Sequence, residues 1–404
     1  MSSGAETSTD PGRPAGALAA DDSWLRRRAW CVLVVAGYLG LALALTSIWF
    51  NSGSRFNSYA RAEFVDLIEG TGYRPFVRRM LVPAMVRGAR ALVGESTRGR
   101  LIDAHPVFLE MGTRYELADP SYGFELALCF VVWYLAMAGF LFGMRAVARA
   151  LYERPGRTAD LVPLVGAFFL PMFFAKGAHY LYDPTDLALS TWCIYAIVSR
   201  RVRLFYLVFA MALLNKETAA VFVVLFAVTY FKREMPGRLG VHLVAQLAMV
   251  GGLLVLTHVL LGENPGALVE RRLAANLHAL AAARFLLSPE RVVTLTVCAW
   301  LLFSRFESRP AFLRAGLVVP VILTPLYIAG GVWGEIRVFL PAYPILAMLA
   351  ADTLAGIMGR PLIPARAAQQ PLLVPDLSWI AFVVQAFVVV LGAVSFGLLL
   401  QQLR

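Results

Sequence analysis

Apolar runs of helix length, separated by short arginine-rich connections, make up most of the chain. The first follows Arg26, Arg27 and Arg28 and ends near Trp49 and Phe50. Further runs cover 124–144, 161–175, 187–198, 239–261, 292–303, 315–332, 338–349 and 379–400. Between 198 and 239 two shorter runs, 204–214 and 219–231, flank Asn215-Lys216-Glu217-Thr218. Basic residues in short loops mark the cytoplasmic side. Arg200, Arg201 and Arg203 precede this stretch and Lys232, Arg233 and Arg238 follow it, so both of its ends belong inside. The pattern therefore predicts a hairpin with an outward tip, each arm roughly 18 Å long and too short to span alone. Counting the hairpin as two, the pattern predicts an all-α polytopic transmembrane helix bundle of about 11 membrane helices.

The same pattern divides the chain. Residues 1–23 are small and polar and predict a disordered cytoplasmic tail. A membrane domain follows over 24–352, then a cytoplasmic linker over 353–378 and a last transmembrane helix within 379–404. The membrane domain includes an outer loop, 51–123, too long to vote on topology. Within that loop 61–70 predicts a short helix with Glu63 and Asp66 three apart on one face. Pro75 suits a first helical position, which would put Arg74 and Arg78 on one side of the next helix. Arg87 and Arg90 follow among apolar residues, a pattern of helices lying in the membrane interface.

Composition sharpens the class. The chain is 59% hydrophobic and 16% charged, with mean hydropathy +0.67, which excludes an ordinary soluble core. The net charge of +11 sits largely in connections where the positive-inside rule requires it, so no nucleic-acid partner is read from it. Cys31, Cys129, Cys193 and Cys298 all fall in apolar runs and imply neither a disulfide framework nor a zinc site. No Walker motif, zinc signature or nucleophile elbow is present.

This topology collects the polar islands on the outer side: the first loop, 179–186, 215–217 and 335–337. Charges at membrane depth are costly and point to function. Asp183, Asp186, Glu217 and Glu335 beside arginine-rich interfacial helices suit an anionic, membrane-borne substrate. Each island also has a plainer reading. Asp183-Pro184-Thr185-Asp186 has the form of a helix start, and Asn215 could cap the second hairpin arm. Arg74, Arg78 and Arg79 could bind lipid head groups, His179 with Tyr180 and Tyr182 could be an interfacial aromatic cluster, and Arg337 could snorkel to the surface.

Tyr73-Arg74-Pro75-Phe76, Arg79-Met80-Leu81-Val82-Pro83, Tyr182-Asp183, Asn215-Lys216-Glu217-Thr218 and Glu335-Ile336-Arg337 occur in this order. That order resembles a group of bacterial membrane proteins that look like relatives of the GT-C class of integral-membrane glycosyltransferases. The resemblance runs from about residue 30 to residue 352. It implies a multi-pass protein of the bacterial cytoplasmic (inner) membrane that takes sugar from a polyprenyl-phosphate donor on the extracytoplasmic face. It also implies that the catalytic acid lies in the first outer loop, at Asp66 or Glu63. The adjacent acidic pair of many members is absent here, so no metal ligands are assigned, although a divalent metal is compatible with the class.

The chemistry can be stated from the residues. A sugar on a lipid phosphate has an anionic leaving group that arginine or lysine can stabilise. The acceptor hydroxyl needs a base, and a carboxylate in an apolar site suits that role. The candidate bases are Asp66, then Glu63, then Glu217. The residues expected to contact substrate are Arg74, Arg78, Arg79, His179, Asp183, Asn215, Lys216, Glu335 and Arg337, with membrane lipids as further partners. Two other classes use the same charges. A lipid or glycan flippase would be expected to show inverted repeats, and only one hairpin is broken here. A non-catalytic envelope assembly protein would leave Lys216 and Glu217 without a role.

Overall fold

The computed structural model describes residues 15–51, 60–153, 156–174, 180–231, 234–267, 269–281, 289–332 and 335–365. These residues are helical with no strand. The last predicted span, at 379–400, and His179 lie outside them. In order the helices are α1 (Ala15–Asn51), α2 (Phe64–Glu69), α3 (Leu81–Val93), α4 (Glu95–Ala104), α5 (Val107–Arg114), α6 (Gly123–Leu151), α7 (Thr158–Phe174) and α8 (Asp183–Val198). They continue with α9 (Val202–Asn215), α10 (Val221–Tyr230), α11 (Pro236–Leu261), α12 (Leu273–Ala281), α13 (Pro289–Phe303), α14 (Ala311–Gly316), α15 (Val318–Gly330) and α16 (Tyr343–Ile357). Helix α1 begins inside the stretch that the sequence marks as a polar tail.

Four segments are long and apolar enough to cross a membrane: Arg28–Asn51, Pro120–Leu151, Pro236–Leu261 and Ala311–Gly330. They suggest a membrane location. The other apolar helices are shorter, 10–17 residues.

Helix α6 is the central post and packs most closely on α8. Small residues allow it: a Cβ on Gly143 would sit 2.8 Å from Thr191, and the Gly139 carbonyl accepts the Trp192 indole N–H at 3.0 Å. Helix α1 joins through Trp49, whose ring meets Trp133 edge-on at 4.5 Å. At one end of this group Asp160 collects Arg145 at 2.6 Å, Arg149 at 2.9 Å and the Trp30 indole at 2.7 Å. A 3-10 turn, Pro120–Tyr122, leads into α6; Asp119 caps that turn by accepting the Ser121 N–H at 2.9 Å, with Pro120 at its first position.

The stretch around Lys216 is a hairpin. The rings of Phe205 on α9 and Phe226 on α10 lie 5.0 Å apart, whereas one continuous helix would separate them by about 30 Å. The Tyr230 hydroxyl reaches back to the Ile197 carbonyl at 3.3 Å. The turn itself is Lys216, extended at φ −164° and ψ 131°, which ends α9.

The first long loop folds as α2 to α5, and one expectation for it fails. Arg74 and Arg78 do not share a helix. The Arg74 N–H donates to the Pro265 carbonyl at 2.8 Å and its backbone pairs with Gly266, so it is held extended. Arg78 closes a single 3-10 turn, Phe76–Arg78, and the next helix begins only at Leu81. Arg87 and Arg90 do fall on α3, but they bind protein. Arg87 donates to the Ile68 carbonyl at 2.7 Å, and Arg90 pairs with Glu69 at 2.5 Å and with buried Glu125 at 3.6 Å. Arg98 completes this network at 2.8 Å from Glu125, joining the loop helices to the start of α6.

Candidate functional site

The start of α8, the hairpin tip, the turn before α3 and the turn before α16 meet at one end of the bundle. The Asp183 segment does begin a helix, but its carboxylate does not cap it, because the capping position is Tyr182. Asn215 does not cap the second hairpin arm either. It ends α9 and ties the hairpin to α8, donating to the Tyr182 carbonyl at 3.0 Å and accepting the Thr185 hydroxyl at 2.7 Å. This cross-tie fixes where the next two residues point.

Lys216 turns into the protein and is buried. Its ammonium lies 3.0 Å from Asp186 and 3.7 Å from Asp183. Glu217 turns the other way, is about half exposed, and grips Arg79 with both oxygens at 2.8 and 3.2 Å. The Arg79 guanidinium also donates to the Tyr182 hydroxyl and lies 4.3 Å from the centre of that ring. Arg337, from the 3-10 turn Ile336–Phe339, pairs with Glu335 at 2.7 Å and approaches Asp183 at 3.5 Å. It sits 3.9 Å from the Tyr180 ring. Tyr180 stacks on Phe76 and on Tyr182, both at 5.3 Å. The aromatic faces therefore hold the cations in place through cation–π attraction.

These groups line an open cavity of about 290 Å³. Arg79, Asp183, Lys216, Glu217, Glu335 and Arg337 all line it. Asp183 is the distinctive member. It is 1% exposed and lies between two cations, yet neither of its oxygens has a hydrogen-bond partner. A buried acceptor without a donor is costly, and here only the flanking Lys216 and Arg337 charges offset that cost.

Of the sequence candidates, the structure thus gathers Arg79, Asp183, Lys216, Glu217, Glu335 and Arg337 around one space, with Asn215 behind them. It does not bring Glu63 and Asp66 there. They sit together on and just before α2, where Asp66 accepts the Thr71 hydroxyl at 3.2 Å. Burial, and then the neighbouring Asp66 charge, push the Glu63 carboxyl up. Arg78 is spent on α11, donating to the Leu254 carbonyl at 3.1 Å and the Thr257 hydroxyl at 2.5 Å. Arg74 faces a neighbouring chamber. Val269 and Glu270 also line the cavity but were not marked as site residues by the sequence. The signal there was the charges Glu263, Glu270, Arg271 and Arg272 in a mixed outer loop.

Among the described residues no group of three or more His, Cys, Asp or Glu side chains is arranged to hold a metal ion. No family model, curated protein or solved structure matches the chain.

Proposed function

We propose that the protein is an integral-membrane glycosyltransferase of the bacterial inner membrane. It moves a sugar from a polyprenyl-phosphate donor to an extracytoplasmic glycan, lipid or protein acceptor. The observation that carries this reading is the buried Asp183 carboxylate, free of hydrogen bonds, in a cavity that also presents Arg79, Lys216 and Arg337. The cations suit a phosphate, since charge-assisted hydrogen bonds strengthen as the leaving oxygen gains charge. The carboxylate suits the other reactant.

In this reading the acceptor oxygen forms a bond to the anomeric carbon while the bond from that carbon to the phosphate oxygen breaks. The electron pair leaves on the polyprenyl phosphate, and the acceptor proton passes to Asp183. Glu217 and Glu335 are engaged with Arg79 and Arg337 and serve to position those cations. The base is therefore assigned to Asp183 rather than to Asp66, Glu63 or Glu217.

The assignment is tested by amide replacements in the full-length protein. Asp183→Asn is expected to stay folded, because Lys216 keeps Asp186 and Arg337 keeps Glu335. It should bind donor and lose on the order of 10²–10⁴ in turnover. Asp66→Asn and Glu63→Gln should transfer at close to the unmodified rate. Inactivity of Asp66→Asn with activity in Asp183→Asn would return the base to the first loop.

A further inference from the structure

A second chamber of about 860 Å³ adjoins the first, with Val269 and Glu270 as a common wall. Arg61, Arg74, Arg271 and Arg272 line it, four guanidiniums against the carboxylate of Glu270. Glu270 holds Arg61 at 3.4 Å and Arg272 at 3.0 Å. Among the described residues no carboxylate lies within ion-pair distance of Arg74 or Arg271. The Nε of Arg74 is buried without a hydrogen-bond partner.

The chamber is built rather than incidental. Gly266, at φ +97°, lets the loop lie against the Arg74 backbone, and a Cβ there would fall 2.6 Å from the Arg74 carbonyl oxygen. Asn264 fastens the same loop to the carbonyls of Gly70 and Gly72 at 2.9 and 3.0 Å. Ala274 and Ala275, in the first turn of α12, complete the lining. Like charges gathered around one space repel one another unless an anion joins them. Guanidinium forks match a phosphate in geometry as well as charge.

We infer that this chamber is a second anion-binding site for a phosphate-class oxyanion, with Arg74 and Arg271 as its principal ligands. The anion belongs to a lipid phosphate or to a free phosphate, and the two sources share this chemistry. The site stands whether or not the first cavity transfers sugar.

The test is calorimetric binding of inorganic pyrophosphate and of a short-chain polyprenyl phosphate to the purified full-length protein. Arg74→Gln/Arg271→Gln should lose one equivalent of bound probe relative to the unmodified protein, whatever the first cavity binds. Arg100→Gln removes an exposed loop arginine and should change nothing. Tighter binding of the polyprenyl phosphate would assign the site to a lipid phosphate, and equal binding to a free oxyanion. If the double variant fails to fold, exposed Arg271→Gln alone should weaken binding about tenfold, the worth of one charge-assisted hydrogen bond. No binding of either probe, unchanged stoichiometry and affinity in the double variant, or an equal loss in Arg100→Gln would overturn the inference.

Discussion

Lys216 has its ammonium 3.0 Å from one buried carboxylate and 3.7 Å from another, with little water to replace either. Removing it by Lys216→Met abandons Asp186, which is 0% exposed. An uncompensated buried charge typically costs about 3–5 kcal/mol. The thermal midpoint should fall accordingly, and Asp186→Asn in the same chain should recover much of the loss. An unchanged midpoint in the single variant would show that the pair is not formed. Glu69 behaves differently because it lies in the first loop. A hydrogen bond from Arg90 is the largest of the effects that hold its carboxyl below the usual range. A lowered folded value stabilises above the unfolded pKa and is lost as pH falls through the folded one. The unmodified protein should therefore lose stability on acidification through and below the ordinary carboxylate range, and Glu69→Gln should lack that component. Identical pH profiles would remove the Arg90–Glu69 pair from the account. At this scale the sequence singled out Asp183, Lys216, Glu217, Glu335 and Arg337 as charges at membrane depth, and the fold brings all five around one cavity. It could not separate Arg78 from Arg79, neighbours that part toward Thr257 and Glu217.

The hairpin is the element that makes the site. Two short apolar arms between basic clusters were enough to predict it, since neither arm could span alone. Its inner contacts are testable directly. On a background without the native cysteines, Phe205→Cys with Phe226→Cys should cross-link with a short thiol reagent, because the two rings lie 5.0 Å apart. No cross-link, with efficient labelling of each single variant, would contradict the antiparallel arms. What hydropathy could not supply were pairings between distant segments. Arg74 was placed in a helix by local pattern, but Pro265 and Gly266, nearly two hundred residues away, hold it extended. Asn215 looked like a cap by local rules and instead bonds to Tyr182 and Thr185 of another helix. Propensity and capping rules see only neighbours in sequence, and a contact across the bundle overrides them.

Among the described residues two charged groups lie toward opposite ends of α6. Twenty residues of α6, roughly 30 Å of helix, lie between Glu125 with its arginines and Arg145 with Asp160. The Asp160 end is closed by ion pairs, and an indole N–H fills the last acceptor. The other end holds a cavity with an unsatisfied carboxylate and three cations. The most direct measurement is sugar transfer by the purified full-length protein in lipid, using a panel of labelled polyprenyl-phosphate sugars and cell-envelope acceptors. Transfer from at least one donor is expected, with polyprenyl phosphate released in equal amount. Donors that bind yet are never consumed would contradict it and point to transport or assembly instead.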